Sequence, residues 1–351
     1  LAHVLAVGAG GGLATLGVVG QTTKAQGASG VSFPVTLGQD NAVRASASLV
    51  GILLHELGHQ FGAEHSFNGT VGTCSQRADE SSCEPGSGST NMADQGICGS
   101  DNLPSETGDE RFFHAGSFDE IRTVIETQIP ELRTPVSTGN TLPSIDAGAG
   151  LTIPASTPFA LTATASDPDS GDSLSYSWEQ IDIGAAGSGQ SVPIADAADH
   201  VGPLFRSFAP SSDPTRTFPR LSDILANTNP ATNRGEHLPT QSRELNFRVT
   251  ARDNHSVNGS IVNGIRSDDV RVNVVDTGEA FRVTTPNSAV TWSGGTSQTV
   301  TWAVAGTTAN GINTATVNLR LSTDGGNTFP LLLGNFPNNG SAQIVVPNLS
   351  N

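Results

Sequence analysis

One stretch of the chain, HELGHQFGAEH from His55 to His65, constrains the fold more than any other. His55 and His59 are four positions apart, so on a helix they point from the same face, one turn above the other. Gly62 allows the backbone to leave the helix through a conformation that a Cβ would penalise, and His65 can then turn back toward the other two imidazoles. Three nitrogen ligands leave a fourth position open, which is the arrangement of a catalytic rather than a structural zinc site.

Glu56 directly follows the first of these histidines, so its carboxylate is expected at the edge of the predicted zinc site. There it can accept a proton from a metal-bound water molecule, which makes Glu56 the predicted general base. The alternative is that the histidines are ordinary core residues of a buried helix. That alternative would require the glutamate, the glycine and the third histidine to share this spacing by coincidence.

The stretch matches H-E-x-x-H-x-x-G-x-x-H at every fixed position, a far more demanding pattern than H-E-x-x-H alone. It resembles the active-site helix of the metzincin zinc endopeptidases, and the order of the chain resembles secreted bacterial reprolysin-like (adamalysin-type) proteases. These enzymes place a methionine turn beneath the metal, and Met92 is the single methionine of the chain. The resemblance implies a zinc metalloendopeptidase that acts on protein or peptide substrates. Its metal ligands would be His55, His59 and His65.

Two features depart from the metzincin pattern. In several of those enzymes a tyrosine lies two residues after the methionine and helps to bind the metal or the oxyanion, whereas here that position is Asp94. Asp94 would instead bind calcium or a basic substrate side chain, or remain a solvated loop residue. Metzincins also have an N-terminal sheet before their substrate-binding strand, and this chain begins at that strand. We therefore expect a catalytic domain that lacks its N-terminal strands.

The resemblance also implies an edge strand before the helix, because an exposed edge can add an extended peptide as a further strand. Residues 12–19 are the candidate segment, although an ordinary buried strand fits the same sequence equally well. The predicted substrate-binding positions are Gly12, Leu13, Ala14, Thr15 and Leu16.

Two helices are predicted in this region. The zinc helix can be capped by Asp40 or Asn41 and runs to about Phe61, and its apolar residues cover most of its circumference, which predicts a central, buried helix. A second helix is predicted to begin at a capping box, Ser117 to Glu120, and to end at Pro130. It resembles the helix that closes a metzincin catalytic domain.

A linker rich in Pro, Ser, Thr and Gly near residues 134–141 separates a catalytic region, 1–136, from two regions of alternating strands. The first of these, 137–276, resembles polycystic-kidney-disease-type and cadherin-like modules and carries a long insertion at about 181–240. The second, 277–351, is predicted to be a further Ig-like or fibronectin-like sandwich. The predicted fold class is multidomain, α+β and then all-β, with a metzincin-like catalytic domain followed by two Ig-like β-sandwiches.

Four aspartates at the predicted end of the first sandwich form a candidate calcium site, since hard oxygen ligands suit that ion. They are Asp167, Asp169, Asp172 and Asp253. The alternative is that these aspartates only form turns.

Three cysteines lie in the loops after the zinc helix, so at most one internal disulfide can form and one thiol is left over. All three pairings of Cys74, Cys83 and Cys98 are open, and Cys74 with Cys83 is preferred because it closes the shortest loop. A zinc ligand at His114 would fill the open position, so we expect His114 to be structural. Glu64, at a variable position of the motif, is expected to be a solvated carboxylate.

Composition limits the partners. The formal charge of −16, from 33 acidic and 17 basic residues, disfavours binding to nucleic acid and to anionic membranes. The apolar stretch 1–20 is interrupted by glycines and lacks a basic leader, so no membrane span is predicted. The resemblance implies secretion, with β modules that bind a polymeric or cell-surface ligand. The alternative is an extracellular binding or adhesive protein with a vestigial metal site, and the intact Glu56 favours the enzyme.

Overall fold

The structure is a computed structural model, and it describes residues 3–7, 11–21, 27–31, 39–105, 111–128, 137–186, 189, 196, 201–226, 234–257 and 259–349. Strands dominate these residues and helices are few. The metzincin-like part at the N-terminus contains a small sheet, the zinc helix and long loops. Two regions of strands follow, and we call residues 137–276 the first β module and residues 277–351 the second β module.

Three short strands form the N-terminal sheet: β1 (Val4–Val7), β2 (Gly11–Ala14) and β3 (Gly27–Val31). β3 lies between the other two, parallel to β1 and antiparallel to β2. Among the described strands β2 is therefore at an edge, as predicted. It is shorter than predicted, because the chain turns at Gly17 (φ 60°), whose N–H donates to the carbonyl of His59 at 2.8 Å. Thr15 and Leu16 consequently lie outside the strand.

The zinc helix, α1 (Gln39–Gln60), packs against β2 and β3 and has nearly the predicted bounds. Gly62 has a φ of 93°, and the N–H of Ala63 donates to the carbonyl of Gly58 at 2.9 Å, so the helix ends as its sequence indicates. Over residues 50–61, where the structure describes the side chains, the expectation of a buried helix was wrong for its apolar residues. Val50 is 40% exposed and the apolar residues of the following turns are half-buried.

The second helix, α2 (Ala115–Thr123), continues into a π-helical turn at Val124–Gln128. The predicted capping box was wrong, because the helix begins two residues before Ser117. His114 is the N-cap, and its Nδ1 accepts a hydrogen bond from the N–H of Gly116 at 3.0 Å. The predicted end of this helix at Pro130 lies outside the described residues.

The predicted disulfide between Cys74 and Cys83 was wrong, because the structure joins Cys74 to Cys98. The two cysteines lie beside short 3₁₀ helices, Gly72–Gln76 and Gly99–Asp101, that contact each other. Both sulfurs are buried against Phe67. Cys83 is a buried free thiol with its Sγ 3.2 Å from Nδ1 of His114. The pairing follows from the way these loops fold back on each other, not from the shortest spacing.

Among its described residues, the first β module contains one four-stranded sheet and three smaller strand pairs. The sheet has the order β5-β13-β10-β8, with β5 parallel to β13 and the other neighbours antiparallel. Its strands are β5 (Leu151–Pro154), β8 (Ser175–Gln180), β10 (Arg243–Arg252) and β13 (Ile265–Val275). The smaller pairs are β4 (Ser144–Asp146) with β7 (Thr164–Ser166), β6 (Phe159–Thr162) with β9 (Thr215–Phe218), and β11 (Ser256–Val257) with β12 (Ser260–Ile261).

The core of the first β module is a cluster of stacked and edge-on phenylalanine rings. The predicted period of two is confirmed in β6 and over residues 270–274 of β13, where buried and exposed residues alternate, and it was wrong for β8, whose last four residues are all buried. The predicted insertion contributes more than surface loops. It supplies β9, the short helix α3 (Leu221–Leu225) and two rings of the cluster. The rings belong to Phe159, Phe205, Phe218 and Phe247.

The second β module contains a three-stranded sheet and one antiparallel pair. The sheet has the order β14-β15-β18, and the indole N–H of Trp302 on β15 donates to Asn338 Oδ1 at 2.9 Å. The strands are β14 (Arg282–Thr285), β15 (Ser297–Ala303), β16 (Thr316–Leu321), β17 (Leu331–Pro337) and β18 (Ser341–Val345). The Ig-like identity of both modules and the exact domain boundaries stay predictions. Among the described helices, none has the length and apolar character to cross a bilayer.

Candidate metal centre

The structure brings the three motif histidines together with their Nε2 atoms facing one another. Nε2 of His59 lies 3.1 Å from Nε2 of His55 and 3.2 Å from Nε2 of His65. Two nitrogen ligands at about 2.05 Å from a tetrahedral zinc ion would be about 3.3 Å apart. The spacing of the three nitrogens therefore fits zinc, and all three rings are partly accessible.

The other ring nitrogen of each histidine contacts a backbone carbonyl. A carbonyl only accepts hydrogen bonds, so each Nδ1 must carry the proton and each Nε2 must present its lone pair. The carbonyls opposite His55, His59 and His65 belong to Asn91, Ala63 and Gln76, at 2.8, 2.7 and 3.0 Å. The tautomer that a metal requires is thus fixed for every ligand.

Burial further favours neutral imidazoles at this site. It lowers the pKa of His55, with a further contribution from the neighbouring His65. Burial together with the two adjacent imidazoles lowers the pKa of His59 to about 3. Neutral rings are the form that binds metal, so the environment prepares these ligands.

Glu56 is only 5% exposed, and its Oε2 atom has no hydrogen-bond partner among the described residues. Burial raises the pKa of Glu56 to about 7, and the nearby charge of Asp94 contributes. The carboxylate lies against β2, because a Cβ built on Gly12 would overlap its Oε1 atom. A buried carboxylate with a raised pKa at this position can accept a proton at neutral pH.

Met92, the predicted methionine-turn residue, is fully buried and packs against Gly58 of α1. A Cβ built on Gly58 would overlap the sulfur of Met92 and lie 2.9 Å from Phe113 Cε1. The carbonyl of Met92 accepts a hydrogen bond from the N–H of Ser66 at 3.1 Å, directly after the third ligand. The methionine turn thus contacts the helix between its two ligands and the chain beside His65.

Glu84 organises these loops, although no local pattern in the sequence indicates this role. Its fully buried carboxylate accepts hydrogen bonds from the hydroxyls of Ser66 and Thr90, both at 2.5 Å. It also accepts from the N–H of Ser89 at 2.8 Å and from its hydroxyl at 3.1 Å. One carboxylate therefore joins the segment after His65 to the methionine turn.

Three other residues considered in the sequence analysis lie near the metal centre or on the elements around it. Asp94 lies close enough to the centre for its charge to raise the pKa of Glu56. Glu64 is half-buried, and its N–H donates to Glu120 Oε2 at 3.0 Å. His114 is structural, since it is buried and caps α2.

The four candidate calcium ligands also lie together. Carboxylate oxygens of Asp167, Asp172 and Asp253 lie within 4.8 Å of one another, and so do ligand atoms of Asp169, Asp172 and His255. His255 was not predicted here, and its Nδ1 lies 2.8 Å from Asp172 Oδ2. The carboxylate of Asp253 also accepts hydrogen bonds within the protein, including one from the N–H of Gly264 at 2.8 Å. Calcium at this cluster stays a prediction.

Comparison with known families agrees with the geometry. Residues 1–110 match metallo-peptidase family M12B, reprolysin-like, a match that contains the zinc motif, the edge strand and Met92. No curated protein and no solved structure matches the chain. Members of family M12B use zinc, and the three histidines could bind a metal ion. The metzincin resemblance is thereby confirmed for residues 1–110, which match the reprolysin-like metallopeptidases of family M12B.

Proposed function

We propose that the protein is a secreted zinc-dependent endopeptidase that cleaves internal peptide bonds of protein substrates. The observation that carries this proposal is the convergence of three Nε2 lone pairs beside Glu56, a buried carboxylate whose Oε2 atom has no hydrogen-bond partner among the described residues. A structural metal site has no need of such a carboxylate, because its fourth position is filled by protein. Zinc bound to His55, His59 and His65 would supply a Lewis acid that activates water and polarises the scissile carbonyl.

Glu56 is the proposed general base. Its pKa of about 7 means that at neutral pH the carboxylate can take a proton and later return it to the leaving amine. Its burial excludes competing water from most of the carboxylate, and α1 holds its backbone rigidly. Both proton transfers are thus assigned to the carboxylate of Glu56.

The edge strand β2 is the proposed substrate platform. Leu13 on β2 is exposed, and a peptide paired with this edge would run alongside the strand that contacts Glu56 at Gly12. Of the predicted substrate positions, Gly12, Leu13 and Ala14 lie in the strand. Main-chain pairing of this kind binds a peptide with little dependence on its sequence, which suits an endopeptidase.

Secretion is proposed from the disulfide between Cys74 and Cys98, since such bonds persist in oxidising compartments. For the two β modules we propose binding of a polymeric or cell-surface ligand that positions the enzyme near its substrate. Calcium at the aspartate cluster of the first β module belongs to the same proposal. The alternative function is an extracellular binding protein with a vestigial metal site, and the environment of Glu56 favours the enzyme.

The test compares the zinc-loaded wild-type chain with Glu56→Gln on an unfolded protein substrate. Loss of the base should lower the cleavage rate by about 100-fold or more, while the zinc content stays at one per chain. Glu64→Gln is the matched control, because Glu64 is another carboxylate of the same motif that is not assigned to metal or proton transfer, and it should cleave as the wild type does. Equal cleavage by Glu56→Gln would remove the proposed base, and a wild-type chain without bound zinc would remove the site.

A further inference from the structure

We infer that the first β module positions the third zinc ligand, His65, because it fixes through Arg77 the backbone carbonyl that orients this imidazole. The inference rests on the proposed function, since it concerns the same metal centre. It assigns to a module outside the family match a direct part in the geometry of the site.

His65 differs from the other two ligands in how it is held. His55 and His59 are carried by α1, whereas His65 lies after the helix has ended at Gly62. Its ring stacks on Phe67, with centroids 4.8 Å apart, and its Nδ1 donates to the carbonyl of Gln76 at 3.0 Å. The position of this ligand therefore depends on the short 3₁₀ helix Gly72–Gln76, which ends at Gln76.

Arg77 directly follows Gln76, and its guanidinium group is nearly buried. Both Nε and Nη2 of this group donate hydrogen bonds. Its Nε donates to Asn68 Oδ1 at 2.9 Å, and its Nη2 donates to the hydroxyl of Ser82 at 2.6 Å. The same Nη2 donates to the carbonyl of Ala185 at 3.1 Å, and Ala185 belongs to the first β module. The planar side chain of Arg77 thus links the segment that carries the Gln76 carbonyl to the first β module in a fixed geometry.

A second contact between the loop and the module lies beside the first. The N–H of Gly184 donates to the carbonyl of Ser82 at 3.0 Å. The absence of a side chain on Gly184 leaves room for Asn68, since a Cβ there would overlap Asn68 Oδ1 and lie 2.6 Å from its Cγ. Asn68 is buried and accepts a hydrogen bond from Arg77. A side chain at Gly184 would therefore displace Asn68 and disturb its hydrogen bond with Arg77.

The module also contacts the two other elements that surround the centre. The hydroxyl of Ser89, in the methionine turn, shares its single proton between Glu84 Oε1 at 3.1 Å and the carbonyl oxygen of Ser207 at 3.0 Å. Glu179 on β8 accepts a hydrogen bond from the N–H of Ala115 at 3.1 Å, at the start of α2. Both Ser207 and Glu179 are buried. The first β module is therefore packed into the metallopeptidase region and is not a detachable appendage.

The test uses the full chain and two substitutions, one in the first β module and one at Arg77. Gly184→Ala places a methyl group against Asn68 from the module side, and Arg77→Lys keeps the charge but removes the forked hydrogen bonds. Zinc affinity is measured by competition with a chelator, and the coordination geometry by the visible absorption of the cobalt-substituted protein. We expect zinc affinity to fall by about 10-fold or more and the cobalt spectrum to change, as for other groups that orient ligands.

Two controls separate positioning from general destabilisation. Gly51→Ala makes the same substitution on the zinc helix itself, where a Cβ would meet no atom within 4 Å. Val249→Ala opens a cavity in the core of the first β module, so it should lower the unfolding temperature without changing the zinc affinity of the folded protein. If Gly184→Ala does not fold, Arg77→Lys supplies the same two readouts.

Wild-type zinc affinity and an unchanged cobalt spectrum in a folded Gly184→Ala or Arg77→Lys variant would overturn the inference. A wild-type chain that binds one zinc but cleaves nothing would contradict the proposed function and leave the positioning result standing. A wild-type chain that binds no zinc would overturn both.

Discussion

Gly12 on the edge strand lies directly against Glu56 on the zinc helix: a Cβ built on Gly12 would overlap Glu56 Oε1 and lie 2.6 Å from its Cδ. The backbone of Gly12 does not require positive φ, so space alone excludes a side chain here. The strand that is proposed to bind substrate and the group that is proposed to move protons are therefore in contact. This packing contributes to the orientation of the carboxylate, because its Oε2 atom has no hydrogen-bond partner among the described residues.

Gly12→Ala should therefore impair catalysis without removing the metal. The added methyl group displaces the carboxylate of Glu56, and a misplacement of about 1 Å can lower the rate by about 100-fold. Steady-state kinetics on a peptide substrate should show the loss in kcat, with the zinc content unchanged. Gly51→Ala is the matched control and should retain the wild-type kcat. A wild-type kcat for Gly12→Ala would show that the carboxylate works in another position.

Two glycines of α1 should respond in opposite ways to the same substitution. Gly51→Ala fills open space in a helix and should stabilise the protein by up to about 1 kcal/mol. Gly58→Ala pushes a methyl group into Met92 and Phe113 and should destabilise it by about 1–3 kcal/mol. Denaturant unfolding of the two variants measures both changes. Equal effects would mean that Met92 does not pack against the helix.

Local sequence patterns predicted the features that depend on neighbouring residues. The three histidines and Gly62 lie within one short stretch, so the helical spacing of the first two histidines and the turn at Gly62 predicted that the ligands come together. The strand that carries Phe247 was recognised from its period of two, because alternate residues of a strand face the same side. Helix ends were less reliable, because side chains elsewhere in the chain can cap them.

Features that depend on contacts between distant residues were missed. The disulfide joins Cys74 to Cys98 because two loops pack together, and spacing alone favoured another pair. The helix α2 begins early because its first N–H is bound by Glu179, 64 positions further along the chain. Glu84 likewise owes its role to hydroxyl groups from two separate loops. No period or motif encodes such contacts.

Glu84→Gln should destabilise the protein by at least about 2 kcal/mol. The carboxylate of Glu84 accepts four hydrogen bonds in a fully buried position, whereas an amide accepts on one oxygen and brings two donors against other donors. The free energy of unfolding should fall in urea titrations. Glu80→Gln, an exposed carboxylate on the same loop, is the control and should change it by less than about 0.5 kcal/mol. A similarly small change for Glu84→Gln would contradict its organising role.

Thiol labelling should distinguish the observed disulfide from the pairing that spacing favoured. Native protein should label at no cysteine, since Cys83 is buried, and unfolded unreduced protein should label at Cys83 alone. The double variant Cys74→Ser/Cys98→Ser should lose about 3 kcal/mol of stability, because the bond closes a loop between residues 24 positions apart. Labelling of Cys98 in unreduced protein would show that this disulfide is not formed.

Calcium should stabilise the first β module if the aspartate cluster binds it. For an extracellular-type affinity of about 10⁻⁴–10⁻³ M, 10 mM calcium would contribute about 1.4–2.7 kcal/mol to the zinc-loaded protein. Thermal unfolding should detect this as a raised midpoint, and magnesium at the same concentration should have a smaller effect. Asp172→Asn should abolish the calcium effect, because Asp172 belongs to both groups of close ligand atoms.

The pH dependence of the same effect gives a sharper test. The hydrogen bond from His255 to Asp172 raises the pKa of His255, so the protonated pair stabilises the loop at acidic pH and this contribution is lost as the pH rises through that pKa. Protonated His255 also opposes a cation at the cluster. Stabilisation by calcium should therefore grow as the pH rises through the raised pKa of His255, and His255→Gln should flatten the pH dependence. A calcium effect that is absent at every pH would leave the aspartates as turn-forming residues only, because their hydrogen bonds within the loops would then account for their proximity.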